Sequence, residues 1–202
     1  MDRSALAAHI DHTVLGPLTT RTAVQSAAET AARAGMHLCV PPRTLAAVES
    51  SFPGELVTVV GFPHGTDTAA TKAAAAVGAV ELGADVLDLV PDLGAAAAGD
   101  TARLQADIAA VTDAVAAPVR VIAETGLLPP AAVAAGAVGL KTSTGYGGEG
   151  ATVAAVRQLA AHLPVKASGG IRSYDDALRL LDAGASRLGT SSGPAVLADA
   201  PE

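Results

Sequence analysis

The stretch PVKASGGIRSYDDALRLLDAGASRLGTSS, Pro164–Ser192, holds one full repeat of the chain's architecture. PVKAS (164–168) reads as a buried apolar strand that breaks at Gly169 and Gly170. Ser173, with Asp176 three residues on, makes a capping box, so a helix begins there, and Ala177, Leu178 and Leu181 are expected on its buried face. Gly184 follows that helix where a left-handed cap residue is wanted, and RLGTSS (187–192) reads as the next strand. Two strands joined by a helix must run parallel, which makes the stretch a βαβ unit.

The same grammar recurs along the chain. HLCV (37–40), LVTVVGF (56–62), VLDLV (86–90), VRVIAE (119–124) and AVGLKTS (137–143) are further strands, and HIDHTVL (9–15) supplies one more before the helix TRTAVQSAAETAARAG. Gly35, Gly83 and Gly136 each sit, like Gly184, between a helical stretch and a strand. Eight such units point to the α/β class and to a compact, single-domain TIM (β/α)8 barrel over residues 1–202, at the lower size limit of that fold, roughly 200 residues. A doubly wound open sheet is the alternative. Against it, no GxGxxG follows the first strand, and polar residues gather at the C-terminal ends of many strands.

Half of the 202 residues are hydrophobic but only 2% are aromatic, so alanine, valine and leucine must build the core. A formal charge of -7 with no basic run excludes a nucleic-acid surface and leaves a small phosphorylated aldehyde or sugar as partner. One cysteine, Cys39, cannot form an internal disulfide, and MDRSALAAHIDHT lacks the features of a signal peptide. Charges interrupt every alanine-rich stretch, so no membrane association is expected. These features suggest a cytoplasmic protein; a homodimer or larger homo-oligomer is left open.

Ten arginines and only three lysines, Lys72, Lys141 and Lys166, carry the positive charge. A lysine amine, unlike a guanidinium, becomes a nucleophile when its surroundings remove its proton. Lys141 opens the hydroxyl-rich segment KTSTG and Lys166 the segment KASGG, on strands expected to be neighbours. Two cations so close repel, and repulsion with burial favours a neutral amine. The demand is large, because a free lysine is neutral only about one time in 2,500 at pH 7, and lowering its pKa to about 7 takes roughly 4.6 kcal/mol. Pairing with carboxylates, or holding a phosphate as point charges, is the plainer role for both. Lys72, inside ATKAAAAVGAVELG, is read as part of a solvated helix face.

Asp88 interrupts the apolar VLDLV, where a carboxylate is costly unless paired or placed in a site. It is positioned to move protons or to hold a lysine. Asp11, Thr13, Glu124 and Thr125 fall at other strand ends and serve either substrate contact or structural hydrogen bonds. Cys39 reads as a buried small hydrophobe. His12 and His64 lack metal-ligand spacing, so no metal is expected. KASGGIR (166–172) and GTSSG (189–193) lie where a barrel of this kind commonly holds a phosphate.

Taken together, IDHTVL, CVPP, VVGFPHG, GADVLDLV, VIAETGLL, KTSTGYGGEGAT, VKASGGIRSYDDA and AGASRLGTSSG resemble, in order, the motifs of the deoxyribose-phosphate aldolase family, spanning residues 10 to 193. The resemblance implies a class I aldolase on a TIM barrel, needing no metal or other cofactor. Such enzymes reversibly cleave 2-deoxy-D-ribose 5-phosphate to acetaldehyde and D-glyceraldehyde 3-phosphate through a lysine imine. It implies Lys141 as the imine lysine, Lys166 as the lysine that perturbs it and Asp88 as a proton relay. Asp11, Thr13, Cys39 and Thr144 would contact substrate, and Gly145, Gly169, Gly170, Arg172, Gly189, Ser191 and Ser192 would hold phosphate. The chain departs from the family at Ala75 and Val86, where many relatives are acidic, and its tail GPAVLADAPE has no aromatic residue. Members with a tyrosine near the C-terminus use it in proton transfer, so this chain would work without one. The rival functions are a phosphosugar isomerase using Asp88 and Glu124, and a catalytically idle phosphosugar-binding homologue.

Overall fold

The computed structural model describes residues 1–48, 50–124, 136–147 and 150–202. Eight parallel strands close into a barrel: β1 (Ile10–Thr13), β2 (His37–Cys39), β3 (Leu56–Val60), β4 (Val86–Leu89), β5 (Val119–Ile122), β6 (Gly139–Lys141), β7 (Val165–Ser168) and β8 (Ala185–Thr190). Each pairs with the next in sequence, and β8 pairs with β1. Every expected strand is present, and β8 begins two residues earlier than its sequence suggests.

Outside the strands lie α1 (Arg3–Ala7), α2 (Arg21–Ala34), α3 (Ala69–Glu81), α4 (Leu93–Ala97), α5 (Thr101–Thr112), α6 (Val153–Ala160), α7 (Tyr174–Asp182) and α8 (Gly193–Ala198). A short 3-10 turn covers Pro42–Ala47. Thr20, Thr68, Asp100 and Thr152 each cap the helix that follows by accepting from a backbone N–H, and Ser173 and Asp176 form the full capping box. Gly35, Gly83, Gly136 and Gly184 all have positive φ, as a chain turning out of a helix requires. The helical stretch expected before Gly136 lies outside the described residues. On α7 the buried face runs through Ala177 and Leu180, not through Leu178 as the sequence suggested. Leu181 packs only partly against the core, because the helix turns its seam one residue from the expected line.

Strand pleating divides the side chains. Leu87 and Leu89 of β4, with Leu140, Ala167 and Leu188, point outward into the main core beneath the helices. Inside, Cys39, Val57, Val59 and Val86 form an apolar cluster under Leu15 and Phe62. The interior is therefore greasy on the β2–β3 side, and charged groups occupy the rest.

Lys72 corrects the sequence reading: it is buried, not solvated. Alanines bring α3 close to α5, and Lys72 Nζ donates to both carboxylate oxygens of Asp107 at 3.1 and 2.9 Å. Asp107 also accepts from the backbone N–H of Asp92, tying α5 to the end of β4. Lys72→Met is expected to cost about 3–5 kcal/mol in a denaturant titration, because it strands a buried carboxylate. Adding Asp107→Leu should recover most of that loss, and failure to recover it would show that packing, not charge, dominates here.

Candidate active site

A cavity of about 280 Å³ opens at the C-terminal ends of the strands. Ser168, Gly169, Gly170, Ile171 and Arg172 follow β7 along one side, and Gly189, Thr190, Ser191 and Ser192 follow β8. Thr13, Leu15 and Gly16 close it from β1, while Phe62, Thr144, Gly145 and Tyr146 form the opposite wall. Lys141 lines the cavity from β6. Of the expected substrate and phosphate residues, Thr13, Thr144, Gly145, Gly169, Gly170, Arg172, Gly189, Ser191 and Ser192 thus meet in one place.

Asp11, Asp88, Lys166 and Cys39 do not line it. Asp11 precedes Thr13 by two residues on the same inward face of β1, so it sits one layer deeper. Cys39 is sealed in the apolar cluster, and burial pushes its thiol up from the ordinary value, which leaves it inert. His12 is buried, with burial lowering its pKa, and a Cβ at Gly193 of α8 would stand 3.1 Å from its Nδ1. His64 is exposed in a loop. Thr125 lies outside the described residues.

Below the cavity the charges form a closed network. Lys166 Nζ stands 2.6 Å from Asp11 Oδ2 and 2.8 Å from Asp88 Oδ2, and Lys141 Nζ stands 3.2 Å from that same Asp88 oxygen. Lys141 and Lys166 are register partners across β6 and β7, as their neighbouring strands imply. Two arginines that sequence reasoning passed over complete the set. Arg120 of β5 donates through Nε to Asp88 Oδ1 at 2.7 Å and through Nη2 to Asp11 Oδ2 at 3.0 Å. Arg187 of β8 places Nε 3.2 Å from Asp11 Oδ1, an ion pair without hydrogen-bond alignment, and also pairs with Glu55.

Glycines make room for these cations. A Cβ at Gly189 would come within 2.9 Å of Lys166 Cε, and one at Gly139 within 3.4 Å of Arg120 Cγ. Gly189 therefore has a packing reason beyond any contact with phosphate.

Burial opposes ionisation of Asp88, but Arg120, Lys166 and Lys141 outweigh it and hold its carboxyl far below the usual range. Asp11 behaves alike: burial resists its charge, and Lys166, Arg120 and Arg187 overcome that resistance. Burial likewise disfavours the Lys166 ammonium, yet Asp11 and Asp88 keep it charged, with its pKa raised. The two carboxylates thus stabilise the fold at pH above the ordinary value of 3.8, and that contribution is lost only as pH falls through their lower folded values.

The KTSTG segment spends its hydroxyls on bonds within the protein. Thr142 Oγ1 donates to Ser168 O, Ser143 Oγ accepts from the Gly145 N–H, and Thr144 Oγ1 donates to Glu124 Oε2 at 2.7 Å. Thr144, expected to bind substrate, therefore faces the cavity with its proton already committed. Glu124 has φ 39°, in the left-handed region that a non-glycine residue seldom adopts, and Thr144 anchors it there.

Phe62 and Tyr146 were also missed. Their rings meet edge to face at 5.4 Å, and the Phe62 centroid lies 5.7 Å from Lys141 Nζ. At that distance the ring favours a cation by about 1 kcal/mol or less. Its larger effect is to keep water from one side of the amine.

No protein-family model matches the chain. Among curated proteins it is 47% identical to the deoxyribose-phosphate aldolase of Halobacterium salinarum, covering 100% of both chains. It is 48% identical to the deoxyribose-phosphate aldolase of Thermus thermophilus over 96% of each. Among solved structures, the tetrameric deoxyribose phosphate aldolase of Aeropyrum pernix superposes with a TM-score of 0.87 at 31% identity, covering 96% of this chain and 90% of that one.

Proposed function

The chain belongs to the deoxyribose-phosphate aldolase family, and on that premise we propose that it reversibly cleaves 2-deoxy-D-ribose 5-phosphate through an imine on Lys141. The observation that carries this reading is the inequality of the three lysines. Lys72 is clamped by Asp107, Lys166 is 1% exposed beneath the cavity, and Lys141 alone lines it. A substrate carbonyl in the cavity meets one amine.

In the cleavage direction the neutral Lys141 amine adds to the C1 aldehyde, and loss of water gives the protonated imine. The C3 hydroxyl then gives its proton to a solvent water in the open cavity, the C2–C3 bond breaks, and its electron pair moves into the iminium to form an enamine. D-Glyceraldehyde 3-phosphate leaves. Protonation of the enamine at C2 and hydrolysis release acetaldehyde and restore the amine. Lys166 acts as a permanent positive charge beside the nucleophile, sharing Asp88 with it and disfavouring a second ammonium. Asp88, held so firmly ionised, suits orienting the two lysines better than accepting a proton in turnover.

The phosphate would rest among Gly169, Gly170, Arg172, Ser191 and Ser192. Both glycines have positive φ, and Gly150 packs so tightly on Gly169 that a side chain on either would collide with the other's backbone. That contact fixes the loop over which the anion would lie.

Incubation with acetaldehyde and borohydride should attach one ethyl group, mapped by peptide mass to Lys141. Labelling confined to Lys72, Lys166 or the N-terminus would overturn the assignment.

A further inference from the structure

Arg120 occupies the barrel interior in a strand, VRVI, whose other residues are all aliphatic. It is 8% exposed and bridges the two carboxylates, sharing Asp11 Oδ2 with Lys166 and taking the other oxygen of Asp88. Several charged or titratable groups face Lys141 and its network. Asp88 comes from β4, Lys166 from β7, Arg120 from β5 and Asp11 from β1. Cys39 on β2 is a neutral thiol, Glu124 beyond β5 is turned to Thr144, and Arg187 on β8 is shared between Asp11 and Glu55.

The core of this network is two carboxylates, Asp11 and Asp88, facing two committed cations, Lys166 and Arg120. Arg187 adds one positive charge that Glu55 offsets. Over the groups that these ion pairs join, the sum is zero when Lys141 bears no charge; the Glu124 carboxylate stands outside them, turned to Thr144. Remove Arg120, and two buried carboxylates would face Lys166 alone, a deficit that an ammonium on Lys141, 3.2 Å from Asp88, would fill. A buried group takes the protonation state that balances its neighbours, since uncompensated charge is costly there.

Given Lys141 as the imine-forming residue, on which this rests, we propose that Arg120 is a positioning residue whose charge completes the balance of Asp11 and Asp88 and so leaves Lys141 free of charge for attack. Its guanidinium does not touch the substrate. It decides how much of the enzyme holds a nucleophile at a given pH.

The test is the pH dependence of imine formation between acetaldehyde and the protein, quenched with borohydride and read at the Lys141 peptide. Arg120→Met should move the rising limb up by about one to two pH units, making trapping at pH 7 about 10- to 100-fold slower while the high-pH plateau survives. Asp11→Asn removes the opposite charge and should move the limb down. The double variant Asp11→Asn with Arg120→Met restores the balance, and its limb should return to the wild-type position. Arg120→Lys should stay near wild type.

Should Arg120→Met fail to fold, the opposed shift of Asp11→Asn and the restored limb of the double variant still decide the matter. An unmoved or upward limb in Asp11→Asn, or a loss in the double variant uniform across pH, overturns the proposal and leaves Arg120 a structural role. Trapping of the wild type away from Lys141 would instead refute the catalytic reading, whatever the arginine does.

Discussion

Lys141→Arg is expected to leave a folded barrel that forms no reducible adduct with acetaldehyde and cleaves deoxyribose 5-phosphate more than about 10⁴-fold more slowly than the wild type. The substitution separates charge from nucleophilicity. A guanidinium can meet Asp88 as a protonated Lys141 would, but it holds its proton at any working pH and offers no lone pair to a carbonyl. If Lys141 served only as a point charge for phosphate, arginine would be an adequate or even superior replacement, and turnover would persist. Circular dichroism and a thermal melt compared with the wild type establish folding. Activity within tenfold of the wild type in a folded variant would return the molecule to the acid–base alternative. That alternative is already strained by the network, because Asp88 is held by Arg120 and Lys166 and one oxygen of Glu124 is spent on Thr144.

The barrel was legible because most strands are buried on both faces and read as short apolar runs, and because a glycine marks where helices stop. The lysine pair was legible for a related reason: cations are conspicuous where a strand meets a glycine loop. Arg120 and Arg187 were not, although an arginine within VRVIAE is as odd as the aspartate within VLDLV. Alternation alone leaves open which parity of a doubly buried strand faces inward; only the register, Asp88 opposite Arg120 and Lys166 opposite Arg187, settles it. Lys72 misled because its partner Asp107 lies on another helix, and an alanine-rich helix has no pronounced polar face from which to judge orientation. Cys39 and Asp11 were placed at the right barrel end but too near the solvent, since depth along a strand depends on shear between strands that no local pattern records. Phe62 and Tyr146 meet across loops after β3 and β6, a contact visible only once the barrel closes.

Aspartate at Ser191 or Ser192 is expected to lower kcat/KM for deoxyribose 5-phosphate at least about a hundredfold, or ~2.7 kcal/mol, while changing that for unphosphorylated deoxyribose less than about threefold. Both serines line the cavity beside Gly169, Gly170 and Arg172, and neither belongs to the buried core, so the fold should tolerate the change. A carboxylate there meets a phosphate carrying the same sign of charge, and like charges forced together at a binding site cost several kcal/mol. The unphosphorylated sugar brings no such charge and loses only a hydroxyl contact. The deficit should fall on kcat as well as KM, because binding energy gathered at the phosphate is what sets the C1 aldehyde against Lys141. Adding inorganic phosphite beside unphosphorylated deoxyribose separates the two contributions: in the wild type it should raise the rate by occupying the vacant anion position, and in the aspartate variants it should not. Equal loss with both sugars would mean that Ser191 and Ser192 support the loop instead of gripping the anion, and the phosphate would then have to lie elsewhere along the cavity rim.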